Sequence, residues 1–378
     1  MLDPIIDWFR QAIVGLWDAI YGLIRWIWAP FRGSYSYYSH ARMWLKITIG
    51  VILIPVLLFY GLFVWNTAYI RNYDRDWPAQ FGFANRTTSA GEQVAAEGGT
   101  QSTRTCGRSA IVEAVNYLID FNVNQNRWIS SHPLYKAGFF GMDWDATPFH
   151  DNKASFQRGA HQAATRIAVE LADQLGRVRG TSEIDVDLQS ARGNMQFDSY
   201  TWYFNPFSER SPFGPTTRSE TYYRNAADSF TRYNDRLEQC RATFDARADN
   251  LMALLDRIAK DIGSTSAAIK DRSERFNSGW FDTRADNSFH FTKGQLYAHY
   301  GILQAARADF QDVIEIRQLG DLWSNMQAQL KSAIDLEPLI VSNGQEDGWI
   351  MPTHLTTIGF YVLRVRSNMI EIRSVLDR

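Results

Sequence analysis

The apolar residues of this chain recur mainly at steps of three and four positions, which is the spacing of one face of an α-helix. The pattern predicts helices over the ranges 104–121, 153–179, 292–318, 321–336 and 353–376. The last of these is the most regular, because its apolar positions run from Leu355 to Leu376 without a break. Pro352 and Thr353 suit its start.

The longest apolar stripe extends from about Ser219 to Phe276. It keeps a heptad spacing with one extra four-residue step between Phe244 and Ala248, which is a stutter in a coiled-coil pattern. The spacing predicts one long, coiled-coil-like helix. Such narrow stripes form either an antiparallel bundle within one chain or a self-associating coiled coil, and we favour the bundle within the chain.

Strand patterns are short in this chain. Residues 183–188 alternate briefly between apolar and polar, and residues 339–342 form a short run. They predict at most a small hairpin. The sequence therefore predicts an all-α protein in which residues 104–378 fold as an antiparallel helical bundle.

Residues 44–65 form a continuous apolar run in which Lys46 is the only charged residue. Twenty-two helical residues extend about 33 Å, enough to cross a hydrocarbon core of about 30 Å. Trp44 and Trp65 suit the two membrane interfaces, and Pro55 is tolerated in such a helix. A cleaved signal peptide would begin near residue 1, whereas 43 residues precede this run. We therefore predict a single, uncleaved transmembrane helix.

The basic residues around this run predict its orientation. Those at or before its start are Arg10, Arg25, Arg32, Arg42 and Lys46, whereas Arg71 and Arg75 follow it together with two aspartates. The positive-inside rule places the N-terminus in the cytoplasm. The rest of the chain then lies outside the cytoplasm, which in a Gram-negative cell is the periplasm.

Residues 1–32 are apolar at helical spacing but carry five charged side chains within the stripe. Four tryptophans indicate a preference for the membrane interface, namely Trp8, Trp17, Trp26 and Trp28. We interpret this segment as an amphipathic helix lying in the membrane surface. A partner-binding helix within the bilayer and a short re-entrant segment remain alternatives.

Residues 66–103 are interpreted as a linker, because the part from 84 onward is rich in small, polar and glycine residues. The 378-residue chain has a net charge of −2 and no basic run, which argues against a nucleic-acid partner. Its two cysteines, Cys106 and Cys240, either form one disulfide in an oxidising compartment or remain unpaired and buried. Two isolated cysteines do not predict a metal site.

Familiar catalytic patterns are absent from the sequence: there is no phosphate loop, GxGxxG, GxSxG, HExxH or paired CxxC. The strongest polar group lies in residues 141–151, where Asp143, Asp145 and His150 are candidates for acid–base or metal chemistry. Pro148 stands where a calcium loop needs glycine, and Ala154 where it needs glutamate. We favour an Asp-rich connection and expect no cofactor and no metal ion.

Two further polar groups lie in the C-terminal half. Asp282, Asp286, His290 and His299 form one, but His299 lies on a helix face beside Leu296 and is interpreted as a hydrogen-bonded core residue. His354 and residues 342–349 form the other, in which Asn343-Gly344 is first of all a turn signal.

Residues 196–215 are the most unusual stretch, because they combine seven aromatic residues with three prolines. Five of the aromatics are candidates for a contact surface, namely Tyr200, Trp202, Tyr203, Phe204 and Phe207. A loop packed over the bundle is favoured, and an exposed patch for a partner, the membrane surface or a glycan is the alternative.

The C-terminal third carries a family resemblance. The stretches FHFTKGQLYAHYGILQAARADF (289–310), LEPLIVSNGQEDGWIMPTHL (336–355) and GFYVLRVRSNMIEI (359–372) resemble the bacterial inner-membrane proteins of domain-of-unknown-function family 2333. An N-terminal span before the domain also fits that family. The resemblance implies a location in the proteobacterial envelope and supplies no mechanism.

These features together predict a non-enzymatic scaffold or interaction protein anchored in the bacterial inner membrane. Its expected partners are the lipid bilayer and either another membrane protein or a second copy of this chain. The alternative is an envelope enzyme or ligand sensor that acts on a cell-wall or lipid component, with Asp143, Asp145, His150 and residues 342–354 lining a cleft.

Overall fold

The computed structural model describes residues 42–67, 69–86, 90–91, 93–95, 104–138, 144, 151–177, 183–201, 216–279, 282–345 and 353–378, together with isolated positions between 14 and 39. The chain divides into two compact units, Met1–Leu62 and Phe63–Arg378. The second unit, called the body below, contains almost all of the described residues.

Helix α1, Met43–Thr67, is the apolar helix that the sequence predicts. Its 25 residues have a mean hydropathy of 2.6 over the most apolar window, and only 6% of that window is buried. The helix is therefore long and apolar enough to cross a membrane. Pro55 lies within it without ending it. Nearer the N-terminus, the described positions from 14 to 33 are helical, and Trp17 is 69% exposed.

The body is all-α apart from one small hairpin in the described residues. Two short 3₁₀ turns, Trp77–Phe81 and Phe83–Asn85, precede strands β1 (Gln93–Ala95) and β2 (Arg104–Cys106), which pair antiparallel. The helices that follow are α2 (Ala110–Asp120), α3 (Pro133–Ala137), α4 (Asn152–Glu170), α5 (Val186–Met195), α6 (Ser219–Glu238), α7 (Ala248–Arg275), α8 (Ala285–Asp309), α9 (Gln311–Ile316), α10 (Gly320–Ile334) and α11 (His354–Leu376). Helices α2 and α4 each continue into a π-helical turn, Phe121–Gln125 and Leu171–Leu175.

Helix α8 forms the centre of the bundle, and most of its residues are buried. It packs against α2, α4, α7, α10 and α11, and its contact with α4 is the most extensive in the body. Glycines at the crossing, Gly159 on α4 and Gly294 on α8, allow this contact. A Cβ on either one would overlap a backbone carbonyl of the other helix. Without side chains at these two positions, the helix backbones touch.

The prediction of one helix from Ser219 to Phe276 is wrong, because the chain leaves the helix after Glu238 and begins α7 at Ala248. Cys240 adopts the left-handed conformation, with φ of 56°, that ends many helices. The backbone amide of Asp245 then donates to the carbonyl of Leu175 at 2.8 Å, which anchors the connection to another element. The stutter at Phe244 to Ala248 thus marks a break between two helices.

Neither predicted strand forms. Residues 183–188 contain the start of α5, where the Asp185 carboxylate accepts hydrogen bonds from the amides of Asp187 and Leu188. Arg236 on α6 pairs with both aspartates. Residues 339–342 form no strand, and the backbone pairing of the neighbouring Asn343 is limited to isolated bridges with Gly279 and Thr353. The hairpin that does form begins within the segment interpreted as a linker.

Cys106 and Cys240 form a disulfide, with their Cα atoms 5.5 Å apart. The bond joins β2 to the connection after α6 and closes a loop with a sequence separation of 134 residues. Of the two states that the sequence left open, the structure shows the paired one.

Candidate functional site

Most of the predicted site residues lie outside the part of the chain that the structure describes. Asp143, Asp145 and His150 lie outside the described residues, as do Trp8, Trp26, Trp28, Trp202, Tyr203, Phe204 and Phe207. Tyr200 is 39% exposed. The remaining groups, around His299 and His354, can be located.

The group Asp282, Asp286, His290 and His299 is not one site. The Asp282 carboxylate binds the Arg272 guanidinium and accepts a hydrogen bond from the Asn343 side chain at 2.9 Å, which fastens the loop before α8. His299 is fully buried elsewhere on α8 and contacts Asp261. The prediction that His299 is a hydrogen-bonded core residue is confirmed.

Asp261 is the centre of a buried polar network. Its Oδ2 accepts a hydrogen bond from Gln295 at 2.6 Å and lies 3.4 Å from His299 Nε2, while Oδ1 accepts from Gln162 at 2.8 Å. Burial alone raises the pKa of Asp261, but the hydrogen bonds and the charge of His299 outweigh it, so that the pKa lies below its ordinary value. The network joins α4, α7 and α8 through polar contacts.

A cavity of about 440 Å³ opens between α4, α7 and α8 beside this network and is called the polar cavity. Its lining combines hydroxyl and amide side chains with apolar ones such as Ile269 and Phe291, and Arg158 is its one charged lining residue among those described. Gln162 and Thr265 reach from its wall to Asp261 and Gln295. Such a lining can hold a polar, uncharged or singly charged ligand, but it places no nucleophile beside a base.

His354 and the described part of the 342–349 loop are joined by hydrogen bonds. The Ser342 amide donates to His354 Nδ1 at 3.0 Å, and the His354 amide donates to the Ser342 carbonyl at 3.0 Å. These bonds fix the loop at the start of α11. Within the described ranges, no group of three or more His, Cys, Asp or Glu side chains is arranged to hold a metal ion.

Asp286 is a buried carboxyl whose titration should be measurable. It is 5% exposed, and its Oδ2 has no hydrogen-bond partner within the described ranges. Burial raises its pKa to about 7. The folded state therefore binds this proton more tightly than the unfolded state, and the stability contributed by the protonated form is lost as the pH rises from about 4 through 7.

We expect Asp286→Asn to raise the free energy of unfolding at pH 8 by up to about 4 kcal/mol, because the variant never carries the buried charge. Urea unfolding of the full chain in detergent micelles at pH 4 to 8 measures this. The variant should also show a flatter pH profile between 4 and 7. Asp228→Asn, on the exposed face of α6, is the matched control and should leave the profile unchanged; equal profiles for all three proteins would contradict the assignment.

A second cavity, of about 350 Å³, lies where the chain leaves α1 and is called the lysine cavity. Residues 69–73, the first turns of α4, the N-terminal part of α8 and residues 336–338 form its walls. Its lining includes His290 and two lysines, Lys153 on α4 and Lys293 on α8, which are only 3% and 6% exposed. Two nearly buried ammonium groups are uncommon in a protein interior.

Each lysine donates to a backbone carbonyl. Lys153 Nζ lies 2.8 Å from the carbonyl oxygen of Asn66 in the last turn of α1, and Lys293 Nζ lies 2.8 Å from that of Leu336. Burial lowers the pKa of Lys153 to about 8, with help from the neighbouring charges of Arg71 and Arg127. Burial also lowers the pKa of Lys293.

Helix α11 has apolar residues on two faces. The inner face, from Leu355 to Leu376, fills the core as the sequence predicts. The outer face continues the steps of three and four on the solvent side and consists of Phe360, Leu363, Ser367, Ile370 and Ser374. Its three large side chains are 54%, 53% and 51% exposed.

The profile of the family described as "Uncharacterized protein conserved in bacteria (DUF2333)" matches residues 129–278 and 268–378. The chain belongs to this family. No curated protein and no solved structure matches it. The DUF2333 match covers α3 to α11, and therefore both lysines, Asp261 and the outer face of α11.

Two features of this DUF2333 body were not predicted from the sequence pattern, namely the outer face of α11 and the two buried lysines. The outer face of α11 carried a usable signal, because Phe360, Leu363 and Ile370 keep helical spacing beside the buried stripe. No sequence signal distinguished Lys153 and Lys293, because a lysine within a helical pattern is normally solvated.

Proposed function

We propose that this DUF2333 protein is a non-enzymatic scaffold of the cell envelope, anchored in the inner membrane by α1 and self-associating through the outer face of α11. The observation that carries the proposal is the outer face of α11, where Phe360, Leu363 and Ile370 are each more than half exposed at helical spacing although the inner face already fills the core. A coiled-coil seam of this kind is typically covered by another helix.

Three observations support the anchor and its orientation. Helix α1 combines a length of 25 residues with an apolar, almost unburied surface. The excess of basic residues before it favours a cytoplasmic N-terminus. The Cys106–Cys240 disulfide fits a domain outside the cytoplasm, as in the oxidising periplasm.

The charges of α11 favour a second copy of the chain as the partner that covers the outer face of this helix. Arg364 and Glu371 flank the outer face seven residues apart, and both are exposed. When two α11 helices pair antiparallel with Ser367 near the middle, Arg364 of each copy lies across from Glu371 of the other. Opposite charges beside a seam favour one orientation over others. Anchoring in one membrane raises the effective concentration of the copies.

We expect Ser367→Cys to form crosslinked dimers when membranes carrying the variant are treated with a short bis-maleimide. The native cysteines are paired, so the new residue supplies the free thiol. Ser332→Cys, exposed on α10, is the matched control and should remain monomeric. Dimer yields are read on denaturing gels.

The charge arrangement supplies a second readout of the same experiment. In the Ser367→Cys background, Arg364→Glu should lower the dimer yield several-fold, and adding Glu371→Arg should restore it. A yield for Ser367→Cys no higher than that of Ser332→Cys, together with a monomer mass in lipid nanodiscs, would rule out self-association through α11.

The polar cavity favours a second candidate function, an envelope ligand sensor or enzyme acting on a cell-wall or lipid component. It offers about 440 Å³ lined by hydroxyl, amide and apolar side chains. Alanine variants of Asp143 and His150 and a Gln162→Leu variant test this candidate. Unchanged ligand binding and unchanged cellular phenotype in all three would remove it.

A further inference from the structure

Among the described residues that line it, the lysine cavity has more basic than acidic side chains. Lys153 Nζ contacts the Asn66 carbonyl, and among the described residues no carboxylate lies within 4 Å of it. An ammonium carries three donors, so one carbonyl leaves most of its capacity unused. A buried charge without a counter-ion is strongly unfavourable, and cavities that hold one are suited to an anionic ligand.

Lys293 has only a shared and partly solvated counter-ion. Its Nζ lies 3.6 Å from a carboxylate oxygen of Glu337, which is half exposed and also binds Arg75. The same Nζ lies 5.1 Å from the centre of the Tyr73 ring. Among the described residues, the two ammonium groups therefore have Glu337 as their only direct carboxylate contact, and Glu337 is shared with Arg75, which also lies 3.6 Å from Asp335.

The residues around the cavity combine exposed aromatic and apolar side chains with the two buried lysines. Asn66, which accepts from Lys153, belongs to the last turn of α1, and Tyr69 and Ile70 line the wall immediately after it. Tyr69 is 72% exposed, and Leu339, next to the lining residue Pro338, is 94% exposed. Aromatic and apolar side chains beside buried cations match the amphipathic headgroup region of a bilayer.

We infer that the lysine cavity binds a phosphate group through Lys153 and Lys293, supplied by the headgroup of an anionic phospholipid or by a soluble phosphate. The inference rests on the proposed membrane anchor, because only then does the last turn of α1 bring the cavity to the level of the headgroups. Both ammonium groups would then donate charge-assisted hydrogen bonds to phosphate oxygens.

The test uses the full chain in lipid nanodiscs under three conditions. The nanodiscs contain phosphatidylcholine alone, phosphatidylcholine with phosphatidylglycerol, or phosphatidylcholine alone with millimolar inorganic phosphate in the buffer. Retained lipid is measured by native mass spectrometry and stability by thermal unfolding. We expect phosphatidylglycerol to be retained and to raise the melting temperature. Lys153→Met and Lys293→Met should each reduce that retention at least tenfold.

Lys270→Met, 75% exposed at its side chain, is the matched control and should behave as wild type. Lys153→Arg keeps the charge and should retain the lipid, which separates charge from folding defects. Stabilisation by inorganic phosphate that depends on both lysines, without lipid retention, would identify a soluble phosphate as the ligand. If neither the lipid arm nor the phosphate arm shows a response that depends on the lysines, the inference is overturned.

Failure of the anchor is distinguishable from failure of the cavity. A chain that does not enter nanodiscs contradicts the proposed function itself. A chain that enters them, and forms the Ser367→Cys dimer, but shows no lysine-dependent response contradicts only the cavity.

Discussion

We expect Gly159→Ala to lower the free energy of unfolding by at least about 3 kcal/mol, the upper part of the range for overpacked interiors. A Cβ at this position would overlap the carbonyl oxygen of Phe291 and lie 2.8 Å from its carbonyl carbon and 3.0 Å from the amide nitrogen of Gln295. All three are backbone atoms of α8. No side-chain rotation can relieve the clash, so α4 and α8 must move apart at the largest contact of the body.

Gly294→Ala should have an effect of the same size, because its Cβ would overlap the carbonyl of Phe156 on α4. Urea unfolding of the full chain in detergent micelles, followed by circular dichroism, measures both variants. Gly193→Ala on α5 is the matched control, since a Cβ there would meet no neighbouring heavy atom within 4 Å. The control should gain up to about 1 kcal/mol from helix propensity. The same sign of change for all three variants would contradict the proposed crossing.

The second large effect is expected from removal of the disulfide. A cross-link that spans 134 residues reduces the entropy of the unfolded chain, which corresponds to about 5 kcal/mol in the chain-entropy model. We therefore expect Cys106→Ala/Cys240→Ala to lower the free energy of unfolding by about 3–5 kcal/mol. The same urea titration measures it, and reduction of the wild-type protein should give a similar loss.

The backbone at Cys240 provides an internal control for this experiment. Its φ of 56° is more easily adopted by glycine than by alanine. Cys106→Ala/Cys240→Gly should therefore be more stable than the double alanine variant by about 1 kcal/mol while lacking the same cross-link. A double alanine variant that unfolds at the wild-type urea concentration would show that the disulfide does not stabilise the fold.

The candidate sites were predictable to different degrees. The sequence identified His299 as a core residue because it lies on the apolar face of its helix. The same prediction grouped Asp282, Asp286 and His290 with His299, because residues close in sequence were taken as close in space. The structure assigns Asp282 to the Arg272 contact and leaves Asp286 buried near the start of α8.

The lysine cavity depends on contacts between distant parts of the chain. The Asn66 carbonyl and the Leu336 carbonyl reach Lys153 and Lys293 across sequence separations of 87 and 43 residues. Helical periodicity reports only which residues share a face, so it could not show that these two ammonium groups become buried. The cavity between them follows from how α4, α8 and the loop after α10 pack.

The sequence by itself determined the apolar helix α1, the all-α class and helices α10 and α11, because helical periodicity is a property of neighbouring residues. The range 292–318, predicted as one helix, divides into α8 (Ala285–Asp309) and α9 (Gln311–Ile316). For α11 the sequence predicted residues 353–376, and the helix covers His354–Leu376. Only the tertiary structure decided that the stripe from Ser219 to Phe276 breaks, since the Leu175 carbonyl and the Cys106 sulfur hold the connection from elsewhere in the chain. It also decided which polar groups are buried together, because burial depends on contacts that no local pattern records.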